Sequence, residues 1–236
     1  MPSPSVASAA PPPRLSLPAR FVGVITSPKE TFESIVAHPE WFGMMALVAL
    51  ALAALIGGFM FTTVGQNAWL EQASKGASDQ QYESFLRISK YLGYGTVAYM
   101  IVAIPLLTVI VSGILLAAFN ATGGDATFKQ VLNVVTHAGA VGVLGQLFTV
   151  PVNYAREKMT SATNLTVLLP MIDEQSFLGR LLSMVDLFII WWLIVLAIGL
   201  GVLYRRRTQP IAMTLFGLYA AIALAAAAVM SRLGGA

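Results

Sequence analysis

The feature that most constrains the fold of this chain is a series of long apolar runs without charge. Residues 187–204 form the clearest of these runs, and Arg205, Arg206 and Arg207 close it. Such runs cross a bilayer as helices of about 20 residues, because backbone polar groups in lipid need partners within the chain. The chain is 57% hydrophobic and 11% charged, whereas soluble domains carry about 25% charged residues. The sequence therefore predicts an all-α polytopic membrane protein.

Five apolar runs are long enough to cross or nearly cross a bilayer. We expect membrane spans over residues 41–64, 91–119, 128–152, 177–204 and 211–230. These spans predict a five-transmembrane-helix bundle within one membrane domain, residues 21–236. Pro105 lies near the middle of the second span and is expected to kink it. The third span is the most polar, so we expect it to face other helices rather than lipid.

The residues before the first span divide into a tail and a short helix. Residues 1–20 are rich in Pro, Ser and Ala and predict a disordered tail, because they bury too little apolar surface to offset the entropy of ordering. Residues 27–30 read S-P-K-E, a capping box with proline at the first helical position. Phe32 and Ile35 then lie on one stripe of an amphipathic helix. We expect this helix to lie in the membrane interface, and the alternative is a pre-helix packed on the bundle.

Basic residues orient the predicted bundle. Five spans place the two termini on opposite sides, and the basic residues divide evenly between the sides. Arg205, Arg206 and Arg207 lie in a very short loop, where the preference of basic residues for the cytoplasmic side is strongest. We therefore expect a cytoplasmic N-terminus and an outside C-terminus.

Ionisable side chains inside the predicted spans are the first candidates for function. With a rise of about 1.5 Å per residue, Asp186 falls near the outer interface and His137 about 15 Å deeper, nearer the midplane. A direct proton relay between them is therefore not expected. We interpret Asp186 as a hydrogen-bonded link between helices; a ligand or proton site and exposure to headgroup water are the alternatives.

The predicted partners of these two residues lie close by. For His137 we expect a neutral, hydrogen-bonded core histidine, because Asn133 lies one turn earlier on the same helical face. For Asp186 we expect partners at the same depth on the second and third spans. These candidate partners are Tyr94, Thr96, Gln146 and Thr149.

Composition and motifs exclude several functional classes. The chain has no cysteine and two histidines, so a thiolate or histidine-rich metal site is not expected. The sequence contains no H-E-x-x-H, G-x-S-x-G or Walker motif. A net charge of +3, with basic residues at the ends of apolar runs, does not indicate a nucleic-acid partner. We therefore expect no catalytic residues, no cofactor and no metal.

Four features in order make the chain resemble the Yip (Ypt/Rab-interacting protein) domain family over residues 21–236. They are S-P-x-x-x-F-x-x-I with Pro28 and Phe32, Gly123-Gly124 before Phe128, Asp186-x-Phe188-x-x-Trp191, and Gly199-Leu200-Gly201 before a basic turn. The resemblance implies a five-span bundle with a cytoplasmic N-terminus. It also implies a compact prokaryotic-type member, located in the bacterial cytoplasmic membrane.

The resemblance carries only part of the family's known associations to this chain. Eukaryotic members are associated with Rab-type GTPases and have a cytoplasmic D-L-Y-G-P stretch ahead of the spans. That stretch is absent from this sequence, so the resemblance does not extend a GTPase partner to it.

Helix-packing features outnumber chemical ones in the sequence. Gly217, Ala221 and Ala225 form a seam of small residues along the fifth span. The expected function is a non-enzymatic membrane scaffold, organising or trafficking-type interaction protein. Its expected partners are the lipid bilayer and other membrane proteins or further copies of itself.

A second function remains open from the sequence. Asp186, Gln146 and Tyr94 are polar residues predicted at similar depth in three different spans. The alternative is therefore a small-solute or ion permease with a polar site around Asp186. An intramembrane enzyme is the least favoured class.

Overall fold

The computed structural model describes residues 12–169, 171–173 and 176–233. These residues form α-helices and one short 3₁₀ helix (Leu165–Leu168), with no β-strand, so the predicted all-α fold is confirmed. In chain order the α-helices are α1 (Leu17–Thr26), α2 (Pro28–Ala37), α3 (Trp41–Phe61), α4 (Thr63–Ala73), α5 (Asp79–Ser89), α6 (Leu92–Ala121), α7 (Phe128–Ala138), α8 (Ala140–Arg156), α9 (Phe177–Met184), α10 (Leu187–Leu203) and α11 (Thr208–Leu233).

Four segments of the described chain are long and apolar enough to cross a membrane. They are Trp41–Phe61, Leu92–Ala121, Phe128–Arg156 and Thr208–Ser231. The predicted fourth span, residues 177–204, is not one helix, because the chain is extended at Val185 and Asp186 between α9 and α10. The remaining helix, α10, has 17 residues and covers about 26 Å, somewhat less than the hydrocarbon core of a bilayer.

The third predicted span contains a second interruption. The helix ends at Ala138 and restarts at Ala140, with Gly139 between α7 and α8. Of the residues in the most apolar stretch of this segment 67% are buried, against 17% in α6. The third span therefore faces other helices, as predicted, and α6 presents most of its surface outward. Pro105 lies inside α6, which runs without a break.

The main core forms where α2 packs on α7 and α10. Phe32 and Ile35 of α2 are fully buried in it. A Cβ added at Gly199 of α10 would lie 2.9 Å from the Phe32 ring and 2.7 Å from Val134 of α7. The apolar stripe of α2 therefore packs on the bundle and not against lipid, as the alternative of a packed pre-helix predicted.

The start of α2 also differs from the prediction. Pro28 occupies the first helical position, as expected, but the side chain of Ser27 makes no capping hydrogen bond. The carbonyl of Ser27 instead accepts a hydrogen bond from Thr31 Oγ1 at 2.9 Å. The predicted capping box at residues 27–30 is therefore wrong, because Ser27 also ends α1 and its backbone is fixed by that helix.

The chain ahead of α1 is attached to α2. Ser34 Oγ donates to the carbonyl of Pro13 at 2.7 Å, and His38 Nε2 lies 3.2 Å from the carbonyl of Pro12. Arg20 is buried and donates to Glu40 at 2.9 Å. The prediction of disorder is thus wrong for residues 12–20, because hydrogen bonds and an ion pair hold them. Residues 1–11 of the predicted tail lie outside the described residues.

Glycines allow α3 and α6 to approach closely. A Cβ at Gly57 of α3 would lie 2.4 Å from Val97, and a Cβ at Gly93 of α6 would lie 2.4 Å from the ring of Phe61. Larger side chains at either glycine would separate the two helices. Gly57 and Gly93 therefore set the close approach of α3 and α6.

Candidate functional site

Asp186 lies in the extended segment between α9 and α10 and caps α10. Its Oδ1 accepts a hydrogen bond from the backbone N–H of Phe188 at 2.8 Å. Its Oδ2 accepts from Ser161 Oγ at 2.7 Å and from Thr163 Oγ1 at 2.5 Å. A capping carboxylate satisfies a helix N–H that has no partner within the helix. Asp186 therefore joins the start of α10 to the connection between α8 and α9.

Backbone hydrogen bonds fix the register of this junction. The N–H of Leu165 donates to the carbonyl of Val185 at 3.1 Å, and the N–H of Leu187 donates to that of Thr163 at 3.2 Å. These two bonds flank a short antiparallel pairing of Asn164 with Asp186. The pairing places the hydroxyls of the connection against the carboxylate.

The residues that hold Asp186 are not those predicted. None of Tyr94, Thr96, Gln146 and Thr149 donates to its carboxylate; the donors are Ser161, Thr163 and the N–H of Phe188. Asp186 thus links a loop to a helix rather than one span to another. The alternating pattern S-A-T at residues 161–163 was the available signal, since it presents two hydroxyls on one side of an extended segment.

A cavity of about 630 Å³ lies beside Asp186, between α3 and α6 on one side and α8 and α10 on the other. Most of its lining is apolar. Its polar lining residues are Thr108, Gln146, Thr149, Asn153, Ser161, Ser183 and Asp186. The volume falls within the range of about 300–1,000 Å³ that is typical of small-molecule sites.

The cavity includes two of the three residues predicted for a permease site. Asp186 and Gln146 both line it, whereas Tyr94 does not. Tyr94 is 68% exposed and packs edge-on against Phe61, with ring centroids 4.8 Å apart. The predicted grouping with Tyr94 is therefore wrong, because that side chain lies on the outer surface of α6.

The cavity lining presents hydrogen-bond acceptors. Asn153 is 8% exposed, and among the described residues its Oδ1 receives no hydrogen bond. Asp186 is the one ionisable side chain in the described lining. A buried acceptor without a donor is unfavourable. Asn153 Oδ1 is closed off from the cavity, whereas the Asp186 carboxylate lines the cavity and favours a ligand that carries positive charge.

His137 belongs to the core and does not line this cavity. It is fully buried, and its Nδ1 donates to the carbonyl of Asn133 at 2.7 Å. Asn133 Nδ2 in turn donates to the carbonyl of Ile35 in α2 at 2.8 Å. Within the described chain His137 Nε2 has no hydrogen-bond partner. His137 is therefore buried in the core, but it bonds to the backbone of Asn133 rather than to its side chain and is satisfied at only one nitrogen.

The glycines of the family pattern are explained by the turn between α6 and α7. Gly123 has a φ of 87°, a conformation that favours glycine. A Cβ at Gly124 would lie 2.5 Å from the ring of Tyr204. Gln130 Oε1 then accepts from the N–H of Thr127 at 2.8 Å in a capping box that starts α7 at Phe128. These residues shape a turn and hold no candidate ligand atoms.

The aromatic residues of the pattern pack at the start of α10. The rings of Phe188 and Trp191 stack with centroids 6.2 Å apart. Gly145 of α8 accommodates Phe188, since a Cβ there would lie 3.0 Å from its ring. The aromatic pair thus fixes α10 against α8 at the edge of the cavity.

Arg206 joins two turns at one end of the bundle. Its Nη2 donates to the carbonyl of Thr122 at 2.8 Å, and its Nη1 donates to Thr122 Oγ1 at 3.0 Å. The turn between α6 and α7 and the turn containing Arg205, Arg206 and Arg207 therefore lie side by side. This is the arrangement expected if both turns face the same side of the membrane.

The fold and its cavity define a multi-pass helical membrane protein. Residues 22–230 match the model of the Yip1 domain, and the chain belongs to this family. It is also similar to Membrane protein YknW of Bacillus subtilis (strain 168), with 28% identity over 229 residues that cover 90% of this chain and 91% of that protein. No solved structure matches the chain. The resemblance predicted from the sequence motifs is therefore confirmed.

Proposed function

We propose that this protein is a non-enzymatic membrane scaffold, which organises other membrane proteins or copies of itself in the manner of a trafficking-type interaction protein. The observation that supports this proposal is the outward seam of small residues on α11. Gly217, Ala221 and Ala225 are all exposed. A Cβ added at Gly217 meets no atom within 4 Å.

An outward seam of small residues has a specific consequence in lipid. Helix association there depends on close packing rather than on a hydrophobic driving force, so small residues at every fourth position allow a second helix to approach. In the segment Thr208–Ser231 only 22% of the most apolar stretch is buried within the chain. The seam therefore suits a helix from another molecule.

The contacts of Asp186 and His137 also support a structural role for these side chains rather than catalysis. The carboxylate of Asp186 accepts three hydrogen bonds that hold α10 and the α8–α9 connection. His137 lies inside the core and bonds to the backbone of its own helix. Both side chains thus contribute to the architecture of the bundle.

Photo-crosslinking in native membranes tests the proposal. A photoreactive residue replaces Leu218, which is exposed beside the seam. We expect a crosslink to a second copy or to another membrane protein. The double variant Gly217→Leu, Ala221→Leu should reduce its yield about tenfold, equivalent to about 1.4 kcal/mol.

Ala118→Leu on the exposed face of α6 is the matched control and should leave the crosslink unchanged. Recovery of monomer alone from the wild-type protein would contradict the proposal, as would a crosslink that survives the double variant.

A small-solute or ion permease remains the second candidate, and the cavity that contains Asp186 and Gln146 favours it. A permease would require the carboxylate for flux. Asp186→Asn should then abolish solute or ion flux in proteoliposomes, and unchanged flux would remove this candidate.

A further inference from the structure

The cavity beside Asp186 combines a long apolar wall with a carboxylate. Leu52 of α3, Leu107 of α6 and Trp192 of α10 contribute to the apolar wall. The Asp186 carboxylate lies where the connection between α8 and α9 meets the bundle, since Ser161 of that connection lines the cavity and bonds to Asp186. Such a shape fits a molecule with a hydrocarbon body and a polar head.

The polar atoms of the lining select the chemistry of that head. The Asp186 carboxylate accepts three hydrogen bonds, and a carboxylate offers about four lone-pair positions. One position of the carboxylate therefore remains for a donor from a ligand in the cavity. A protonated amine supplies three donors and a charge opposite to that of Asp186.

The same lining disfavours a phospholipid head. No lysine or arginine is among the described lining residues. A phosphate group would therefore approach the Asp186 carboxylate without a cation to neutralise either charge. The charge of the site fits an amine that lacks an attached phosphate.

We propose that this cavity binds a single-chain alkylamine, with the ammonium group beside Asp186 and the hydrocarbon chain along the apolar wall. The binding requires neither a protein partner on α11 nor movement of the ligand across the membrane. A negative result in the crosslinking experiment or in the flux experiment therefore does not decide whether the cavity binds an alkylamine.

Fluorescence quenching by a brominated ligand tests the proposal. Trp192 lines the cavity and remains as the sole tryptophan when Trp41, Trp69 and Trp191 are replaced by Phe. In phosphatidylcholine nanodiscs we expect saturable quenching by ω-bromododecylamine. The corresponding alcohol and carboxylic acid should quench Trp192 only through partition into the lipid.

A protein that retains Trp41 alone reports on partition, since Trp41 does not line the cavity. It should show weak quenching that does not saturate with any of the three compounds. Equal saturable quenching of Trp192 by the amine, the alcohol and the acid would overturn the proposal.

Two variants distinguish the contribution of the Asp186 charge to binding from that of the free cavity volume. Asp186→Asn removes the charge while retaining a residue suited to the start of α10, and should weaken amine binding about tenfold. Gly142→Leu should abolish it, because Gly142 lines the cavity and a Cβ there meets no atom within 4 Å. Unchanged amine binding in either variant would overturn the proposal.

Gly113→Leu on α6 is the control for Gly142→Leu, since a Cβ at Gly113 also meets no atom within 4 Å and Gly113 does not line the cavity. It should bind the amine as the wild type does. A further arm uses phosphatidylethanolamine with a brominated acyl chain. Saturable quenching by that lipid, without quenching by the alkylamine, would assign the cavity to a phospholipid and overturn the proposed ligand.

Discussion

Asp186 and His137 are polar side chains in apolar surroundings, and their hydrogen-bonding groups are satisfied in different ways. Asp186 accepts hydrogen bonds from Phe188 N–H and from the hydroxyls of Ser161 and Thr163. His137 donates to the backbone one turn earlier and leaves Nε2 without a partner in the described chain. Asp186 therefore stabilises a junction, whereas His137 retains an unused acceptor in the core.

Replacing Asp186 should reveal its capping role. Asp186→Ala removes the acceptor of the Phe188 N–H and should lower the free energy of unfolding by about 1–2 kcal/mol. Asp186→Asn should lose less, because asparagine also caps helices well. Unfolding of the purified protein in detergent, followed by circular dichroism against denaturant, measures both. Equal losses for the two variants would contradict a capping role.

Sequence reasoning at the residue scale predicted helical neighbours better than loop partners. The contact of His137 with Asn133 followed from the regular spacing of a helix. The partners of Asp186, Ser161 and Thr163, lie in an irregular connection whose path has no period. Depth along a span therefore identified the wrong candidates, because depth contains no information about a loop that folds back.

At the scale of elements, the contact of α2 with α10 depends on one glycine. A Cβ at Gly199 would come within 2.7 Å of Val134 and 2.9 Å of Phe32. Those neighbours are fully buried and have little room to move. The absence of a side chain at Gly199 is thus what lets α2 dock on the bundle.

Gly199→Ala should therefore displace α2. Overpacking of this kind costs about 1–3 kcal/mol. Gly113→Ala, where a Cβ meets no atom within 4 Å, should instead be neutral or stabilising by up to about 1 kcal/mol, because alanine favours helix. Thermal unfolding and limited proteolysis after Lys29 measure the effect. Equal protection of Lys29 in both variants would contradict the contact.

Sequence patterns at this scale located helices but not their interruptions. The apolar run of residues 187–204 predicted α10 well, yet the extended Val185 and Asp186 were not foreseen within the predicted span. A hydropathy profile averages the composition of a window of residues and so does not locate helix ends. A helix ends where a side chain competes for a backbone N–H. Asp186 is such a side chain, and its chemistry was the missing signal.

At the scale of the whole molecule, the orientation of the bundle depends on whether α10 crosses the membrane. With α10 the chain has five crossings, and without it four. Arg206 holds the turn before α11 against Thr122 in the turn after α6. We therefore propose five crossings, with these turns and the N-terminus on the cytoplasmic side of a bacterial cytoplasmic membrane.

Reporter fusions test this topology. Alkaline phosphatase at the C-terminus should be active, because it lies outside in a five-crossing protein. A fluorescent protein fused at the same place should remain dark, whereas fused before Pro12 it should be bright. An inactive phosphatase with a bright C-terminal fusion would indicate four crossings.

The packing of α2 also sets an order of assembly. Phe32 is synthesised about 170 residues before Gly199, which lies on the surface of α10 against which Phe32 packs. This separation corresponds to about 10–30 s of synthesis. For that interval the apolar stripe of Phe32 and Ile35 lacks its final neighbours. The last helices to be inserted therefore cover the apolar stripe of α2, which is one of the first helices made. A truncation before α10 leaves that stripe exposed to other chains and to quality control.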